Sequence, residues 1–277
     1  MKQFDLHRFG RALQCHVLSS RKEILAGFLW MVAVFFLVDL FFTELIDMGN
    51  DDGSLGFYMQ KVENYVAGCV FGILVGTMVW ATRIFSNMKT TPQRTTYLLL
   101  PVSHAEKYLV RFLHATVISL LLGIAAFILA DALRMLVAVT WGRPLVSGIP
   151  ILFGHEVGEL APRHGTSLAI LLAGGFFFFN HACYVLGGTL FRKQPFLMTS
   201  GVLFVLLLLV SHVIDWVTDF YNVSITFVSY NEQTGLYVNP WVYPLIVVFY
   251  LLAVACYWLS YRQFCRMQVI NNKWLNV

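Results

Sequence analysis

Six long runs of apolar residues, separated by short polar stretches, dominate the chain. The runs cover about 24–45, 65–85, 112–139, 167–191, 196–213 and 242–261. A helix rises about 1.5 Å per residue and needs about 20 apolar residues to cross roughly 30 Å of hydrocarbon. The pattern predicts an all-α polytopic membrane protein with six transmembrane helices, folded as a single transmembrane domain over 1–277.

Two shorter patterns lie outside these spans. Residues 4–18, "FDLHRFGRALQCHVL", place apolar side chains at spacings of three and four, which predicts an N-terminal interfacial amphipathic helix. The alternative is a plain extension of the first span. Between spans five and six, β-branched and aromatic residues alternate with polar ones around "NEQTG", which predicts a small extracytoplasmic β-hairpin.

A punctuated segment follows the second span. Thr91 can cap a helix that has Pro92 at its first position, and Pro101 is expected to end that helix. Ser103 and Glu106 have the spacing of a capping box, in which each side chain satisfies a backbone N–H of the other residue. The segment therefore predicts a short cytoplasmic helix at about 92–100, followed by a newly capped third span.

The short helix carries apolar side chains, Tyr97, Leu98 and Leu99, on a partly exposed surface. Exposed apolar surface bordered by charge marks a contact site, so a protein partner is one interpretation. Insertion of these side chains into the lipid interface is the other. Lys107 and Arg111 are expected to remain at the headgroups where the third span enters the bilayer.

Composition and charge agree with a membrane protein. The chain is 58% hydrophobic and 12% charged, with a mean hydropathy of +0.69, whereas soluble domains are about one quarter charged. Most of the 19 basic residues fall in the N-terminal segment, the second and fourth connections and the tail. Basic residues favour the cytoplasmic side, so both termini are predicted to be cytoplasmic. The net charge of +4 reflects this bias, and no nucleic-acid partner is expected.

The stretch "LLLPVSHAEKYLVRFL" and, more weakly, the basic tail "YRQFCRMQVINNKW" resemble type-two ATP-binding-cassette (ABC-2-like) transporter permeases. The likeness is greatest to short Bacteroidota-type members, and in topology it covers the whole chain. The outer loop between the last two spans departs from the family, in which re-entrant helices are usual at this place.

This resemblance implies a permease subunit in a bacterial cytoplasmic (inner) membrane, paired with a second permease copy or homologue. A separate cytoplasmic ATPase subunit would bind ATP and Mg²⁺ and contact a coupling helix on this chain. The residues assigned to that contact are Pro92, Arg94, Tyr97, Leu98 and Leu99.

No P-loop motif G-x-x-x-x-G-K-[ST] occurs in the chain, so we expect it to bind no cofactor itself. The outer loop "GHEVGELAPRHG" lacks the H-E-x-x-H pattern, and we expect a solvated loop without metal. The five cysteines show no metal-cluster spacing and are expected to be reduced thiols.

Asn180 and His181 are the polar residues nearest the middle of a span, and glycines lie before and after them. Small residues let helices approach closely, and polar ones then hydrogen-bond across the contact. Three interpretations are open for this pair: helix–helix bonding, a lining position on a translocation path, and a catalytic or metal-binding histidine.

We therefore consider three functional hypotheses. A permease subunit of an ATP-driven exporter explains the topology, the missing nucleotide motif and the short cytoplasmic helix. A non-transporting membrane assembly or sensor subunit would have much the same sequence. An intramembrane enzyme would need a nucleophile and base, or metal ligands, at a common depth.

Overall fold

The computed structural model of the protein describes seven segments and four single residues between two of them. The segments are 4–41, 55–85, 101–152, 163–191, 193–221, 228–231 and 235–266, and the single residues are Pro92, Thr95, Tyr97 and Leu99. Thr91, Arg94, Leu98 and the outer loop at 153–162, all named above, lie outside the described residues.

The described residues are predominantly helical. The helices are α1 Leu6–Ser19, α2 Arg21–Leu40, α3 Leu55–Thr82, α4 His104–Thr140, α5 Ile149–Leu152, α6 Arg163–Leu190, α7 Pro195–Tyr221 and α8 Val242–Arg266. A π-helical segment, His114–Ile118, lies within α4. Two short strands, β1 Val228–Asn231 and β2 Gly235–Val238, pair antiparallel between α7 and α8, where the sequence predicts a hairpin.

Six of these helices, α2, α3, α4, α6, α7 and α8, are long and apolar enough to cross a membrane. They correspond one to one to the predicted spans, and they make the chain a multi-pass membrane protein. The boundaries differ, because α3 begins at Leu55 and α4 at His104, well before the apolar runs that they contain. Hydropathy detects the apolar part of a helix, whereas the helix continues into polar sequence until a cap or a turn ends it.

The described helices group into two compact units, each with its own packing. The first comprises Met1–Trp80 and Val102–Leu160, and the second Ala81–Pro101 and Ala161–Val277. In the first unit, α2, α3 and α4 meet at Phe35, Tyr65 and Phe127, which are almost fully buried. The Tyr65 and Phe127 rings stack with centroids 6.0 Å apart.

The second unit contains α6, α7, α8, residues 81–82 in the last turn of α3 and the segment up to Pro101. Within it, Gly188 of α6 lies directly against the backbone of that turn. A Cβ atom added at Gly188 would lie 2.7 Å from the Thr82 carbonyl oxygen and 3.0 Å from the Thr82 Cα. By contrast, only 6% of the apolar window of α7 is buried, so most of its side chains lie outside the protein core.

Replacing Gly188 by Ala should destabilise the second unit, because the added methyl group meets backbone atoms that cannot rotate away. Overpacking of this kind costs about 1–3 kcal/mol. The measurement is the thermal unfolding midpoint of the purified protein in detergent. Gly201→Ala is the matched control, since nothing lies within 4 Å of a Cβ at that position. Equal midpoints for the two variants would contradict the close α3–α6 contact.

Candidate functional site

The short segment between α3 and α4 is helical at the positions that the structure describes. Pro92, Thr95 and Tyr97 have helical conformation, and the Leu99 N–H donates to the Thr95 carbonyl oxygen at 3.0 Å. Tyr97 is partly buried, whereas Leu99 is 76% exposed. An apolar side chain is thus presented outward on a turn of helix, close in sequence to the start of α4.

The predicted capping box is present at the start of α4. Ser103 has an extended backbone, and its hydroxyl oxygen accepts a hydrogen bond from the Glu106 N–H at 3.3 Å. In return the Ser103 N–H donates to Glu106 Oε2 at 2.8 Å. Two backbone donors that a helix start leaves unpaired are satisfied in this way, and α4 begins at His104.

The other oxygen of the same carboxylate binds α1. The Asp5 N–H donates to Glu106 Oε1 at 2.7 Å, and an Arg8 guanidinium nitrogen lies 3.1 Å from that oxygen. Asp5 in turn caps α1, since its side chain accepts from the His7 N–H at 2.9 Å. We call Asp5, Arg8, Ser103 and Glu106 the Glu106 clasp. It fixes the first turns of α1 and α4 to each other.

The Glu106 side chain is completely buried. A buried carboxylate is tolerated only when hydrogen bonds and opposite charge replace its lost hydration. Here two backbone N–H groups and one guanidinium group do so. The Glu106 clasp therefore holds the first turn of α4 in place through charged hydrogen bonds. This turn comes a few residues after the exposed Leu99.

Lys107 and Arg111 were expected at the lipid headgroups, and the structure shows that their side chains are covered by protein. Their exposed fractions are only 5% and 3%. The reason is that α1 packs along this part of α4. The chain positions of the two residues predict their depth in the membrane, but they cannot show that another helix covers them.

A second contact joins α1 to α4 two turns further along. The imidazole nitrogens His16 Nε2 and His114 Nδ1 are 2.7 Å apart, and the Trp80 ring packs edge-on against His114 with centroids 5.4 Å apart. Burial, His114 and Arg111 together lower the pKa of His16 to about 4. His16 is therefore neutral near pH 7. Its partner His114 is the first residue of the π-helical segment of α4.

Sequence reasoning missed Arg8 and His16. They are eight residues, about two turns, apart on α1, and both contact α4. Arg8 and His16 are partly buried together with the apolar Phe9 and Leu13. Polar residues close to an apolar face are the sequence signal that such a face also makes polar contacts. That signal does not identify Glu106 and His114 as the partners.

The other end of α4 carries a buried ion pair. Arg134 Nε and a terminal nitrogen donate to Asp131 Oδ1 at 3.1 and 2.8 Å, so the pairing that the spacing of three allows is present. The Ser147 hydroxyl and the Gly148 N–H also donate to the Asp131 carboxylate, at 2.9 and 3.0 Å. The pair thereby anchors the connection that follows α4.

Arg134 extends this network to neighbouring helices. It donates to the Tyr58 hydroxyl of α3 at 3.3 Å and to the Val146 carbonyl oxygen, and its Nε lies 4.0 Å from Asp39 Oδ1 of α2. A cavity of about 10 Å³ beside Asp39, Tyr58 and Arg134 has room for about one water molecule. Three helices and a loop are thus joined at this end of α4.

In the second unit, α6 and α8 run parallel along a seam of small and aromatic residues. Gly175 lies beside Phe249 and Tyr250, where an added Cβ would be 3.4 and 3.1 Å from their atoms. A Cβ added at Gly174 would lie 3.1 Å from the Tyr250 hydroxyl. Seven residues beyond Gly174 and Tyr250, His181 Nδ1 lies 2.8 Å from the Tyr257 hydroxyl. The repeat of seven is the register of parallel helices packed as in a coiled coil.

The two polar residues singled out in span four have different environments. His181 is 3% exposed and bonds across the seam to Tyr257. Asn180 instead donates to the Phe176 carbonyl oxygen of its own helix at 2.8 Å. A side chain amide that satisfies its own backbone joins no helices, so only His181 makes the interhelical bond.

No group of three or more His, Cys, Asp or Glu side chains in the described part of the chain is arranged to hold a metal ion. No protein-family model matches the chain, and no curated protein or solved structure is significantly similar to it.

Replacing Glu106 by Gln should loosen α1 from α4. The amide nitrogen that replaces one carboxylate oxygen cannot accept a hydrogen bond, and the attraction to Arg8 is lost; each hydrogen bond to a charged group contributes about 1.5–3 kcal/mol. The measurement is faster amide hydrogen exchange over Leu6–Ser19 together with a lower thermal midpoint. The control is Glu63→Gln, because Glu63 is exposed on α3. Unchanged exchange in α1 would show that the clasp does not hold the helix.

Acidification should weaken the α1–α4 contact through His16. An unfolded His16 takes up a proton below about pH 6.5, but the folded one does so only near pH 4. Protonation in this window favours the unfolded form, so stability falls as the pH falls, by about 1–3 kcal/mol for a shift of this size. The check is thermal unfolding between pH 4 and 8.

The matched variant for this titration is His16→Gln, which keeps a side-chain nitrogen but does not titrate. Its midpoint should change less between pH 6.5 and 4 than that of the native protein, since only the native protein has a titrating imidazole at position 16. An identical pH dependence in the two proteins would assign the effect to other groups.

Proposed function

We propose that this protein is the membrane-spanning permease subunit of an ATP-driven exporter and that a separate cytoplasmic ATPase subunit supplies the energy. The observation that carries the proposal is the helical turn at Pro92, Thr95, Tyr97 and the exposed Leu99, which we call the docking turn. The Glu106 clasp and α4 come directly after it in the chain. The protein would work in a bacterial inner membrane with both termini in the cytoplasm, paired with a second copy or homologue.

The contact with the ATPase is assigned to the helix at 92–100. Tyr97 and Leu99 provide apolar surface there, and Pro92 fixes the start of the helix. Arg94 and Leu98 are assigned to the same contact from the resemblance to ABC-2-like permeases. An apolar patch bordered by basic residues suits a docking surface on a soluble partner.

Transmission from this contact requires a stiff connection to the membrane helices. ATP binding by the partner can only bias membrane conformations that contact it differently. Ser103 and Glu106 pair reciprocally at the start of α4, and Pro101 disfavours helix at the residue before it. Both features support the well-defined start of α4 that the proposal requires.

The Glu106 clasp makes α1 move with α4. Arg8 and Asp5 bind the same carboxylate that caps α4, and His16 binds His114 further along. At the far end of α4, the Asp131–Arg134 pair joins α4 to Tyr58 of α3. Within the first unit, a shift of α4 thus reaches its neighbours through charged and hydrogen-bonded contacts.

A non-transporting membrane assembly or sensor subunit is the competing function. It would use the same helices and would not require an ATPase at the 92–100 surface. The deciding observation is therefore the presence of a partner that hydrolyses ATP and binds through Leu98 and Leu99.

We expect an ATPase with a P-loop to co-purify with the tagged protein from native membranes and to hydrolyse ATP in the eluate. Replacing Leu98 and Leu99 by Asp should remove both the protein and the activity, because charges replace the apolar contact. Leu145→Asp is the control, since Leu145 is 60% exposed in the connection after α4. Membrane insertion of all variants is checked by fractionation.

Two results would decide against the proposal. An ATPase that remains bound to the Leu98 and Leu99 variant would remove the coupling-helix assignment. The absence of any ATP-hydrolysing partner from intact, detergent-solubilised native membranes would favour the assembly or sensor subunit.

A further inference from the structure

Two cysteines face each other across the seam between α6 and α8. Cys183 and Cys256 are both reduced and only partly buried. Their thiols are hydrogen-bonded to each other. Neither residue takes part in the Glu106 clasp, the Asp131–Arg134 pair or the docking turn.

The register of the seam places these two residues together independently of their side-chain rotamers. The Phe176 and Phe249 rings meet with centroids 5.8 Å apart. Cys183 and Cys256 lie seven residues further along α6 and α8, and residues seven apart occupy the same face in parallel packed helices. The His181–Tyr257 bond, at 2.8 Å, shows that the register is kept at this level of the seam.

The close approach of the helices allows a short covalent link here. At Gly175, one heptad before Ala182, an added Cβ would lie 3.4 Å from the Phe249 Cβ. Disulfides join residues whose Cβ atoms are about 3.5–4.5 Å apart. Helices packed this closely are compatible with such a link between Cys183 and Cys256, whose thiols are in contact.

The remaining cysteines have other environments. Cys69 is fully buried in the core of the first unit, and Cys15 and Cys265 are exposed. Cys183 and Cys256 are therefore the cysteines that the described seam brings into direct contact. A thiol beside a second thiol can be oxidised to a disulfide instead of stopping at a sulfenic acid.

We propose that Cys183 and Cys256 form a reversible redox site at which hydrogen peroxide converts the two thiols into a disulfide between α6 and α8. One sulfur attacks the peroxide, the O–O bond breaks, and a sulfenic acid and one water form. The second sulfur then attacks the sulfenic sulfur and releases a second water. Two electrons pass from the thiols to the peroxide, and a dithiol reductant reverses the reaction.

The disulfide would tie α6 to α8 at the level of the His181–Tyr257 bond. It would also close the stretch of chain between them, which includes α7 and the two strands, into a covalent loop. Such a loop restricts the unfolded chain and raises the thermal midpoint. Any movement that separates α6 from α8 would stop while the link exists, whatever the protein transports.

The test uses full-length protein in which Cys15 and Cys265 are replaced by Ser, leaving three thiols. The protein in lipid nanodiscs is treated with hydrogen peroxide, quenched with catalase, unfolded in dodecyl sulfate and labelled with a polyethylene-glycol maleimide. The expected number of labels is three before oxidation, one after it and three again after dithiothreitol, with a monomer on the gel throughout.

Adding Cys256→Ser to this background leaves two thiols, and oxidation should remove at most one label, as a sulfenic acid, instead of the two labels that the pair loses. A second control combines Cys256→Ser with Val254→Cys, which moves the thiol to a position that is 65% exposed; it should not lose two labels together. Three labels after oxidation of the first protein would overturn the proposal. So would a loss of labels that dithiothreitol does not restore, or a cross-linked dimer in place of the closed monomer.

Discussion

The structure of the first unit depends on one buried carboxylate. Glu106 has no exposed surface, so its charge must be compensated within the protein. Its two oxygens meet this requirement by accepting from Ser103 on one side and from Asp5 and Arg8 on the other. The need to satisfy a single ionised group therefore determines where α4 starts and where α1 lies against it.

At both ends of α4 a buried carboxylate is compensated by donors within the protein, although the partners differ. Asp131 is fully buried and paired with Arg134, and the pair organises the connection after the helix and the ends of α2 and α3. Apolar packing around Phe35, Tyr65 and Phe127 fills the space between these ends. Polar contacts at the ends and apolar contacts in the middle suit a helix that crosses a bilayer, where hydrophobic contact alone specifies little.

Local features were predictable because the residues concerned are close in sequence. The capping box needs only Ser103 and Glu106, three positions apart, and the Asp131–Arg134 pair needs one turn of helix. The positions and lengths of the apolar runs alone were enough to predict six spans. The ends of the helices were less accurate, since α4 begins at His104, eight residues before the apolar run that marks its span.

The sequence by itself determined six apolar helices, the capped start of α4 and the polar residues that a membrane helix must satisfy. Only the tertiary structure decided which distant groups satisfy them. It brought Arg8 to Glu106 and His16 to His114, buried Lys107 and Arg111, and turned His181 toward Tyr257 while Asn180 bonded its own helix. The physical reason is that helix periodicity specifies a face, whereas the partner on that face depends on helix packing between residues about a hundred positions apart.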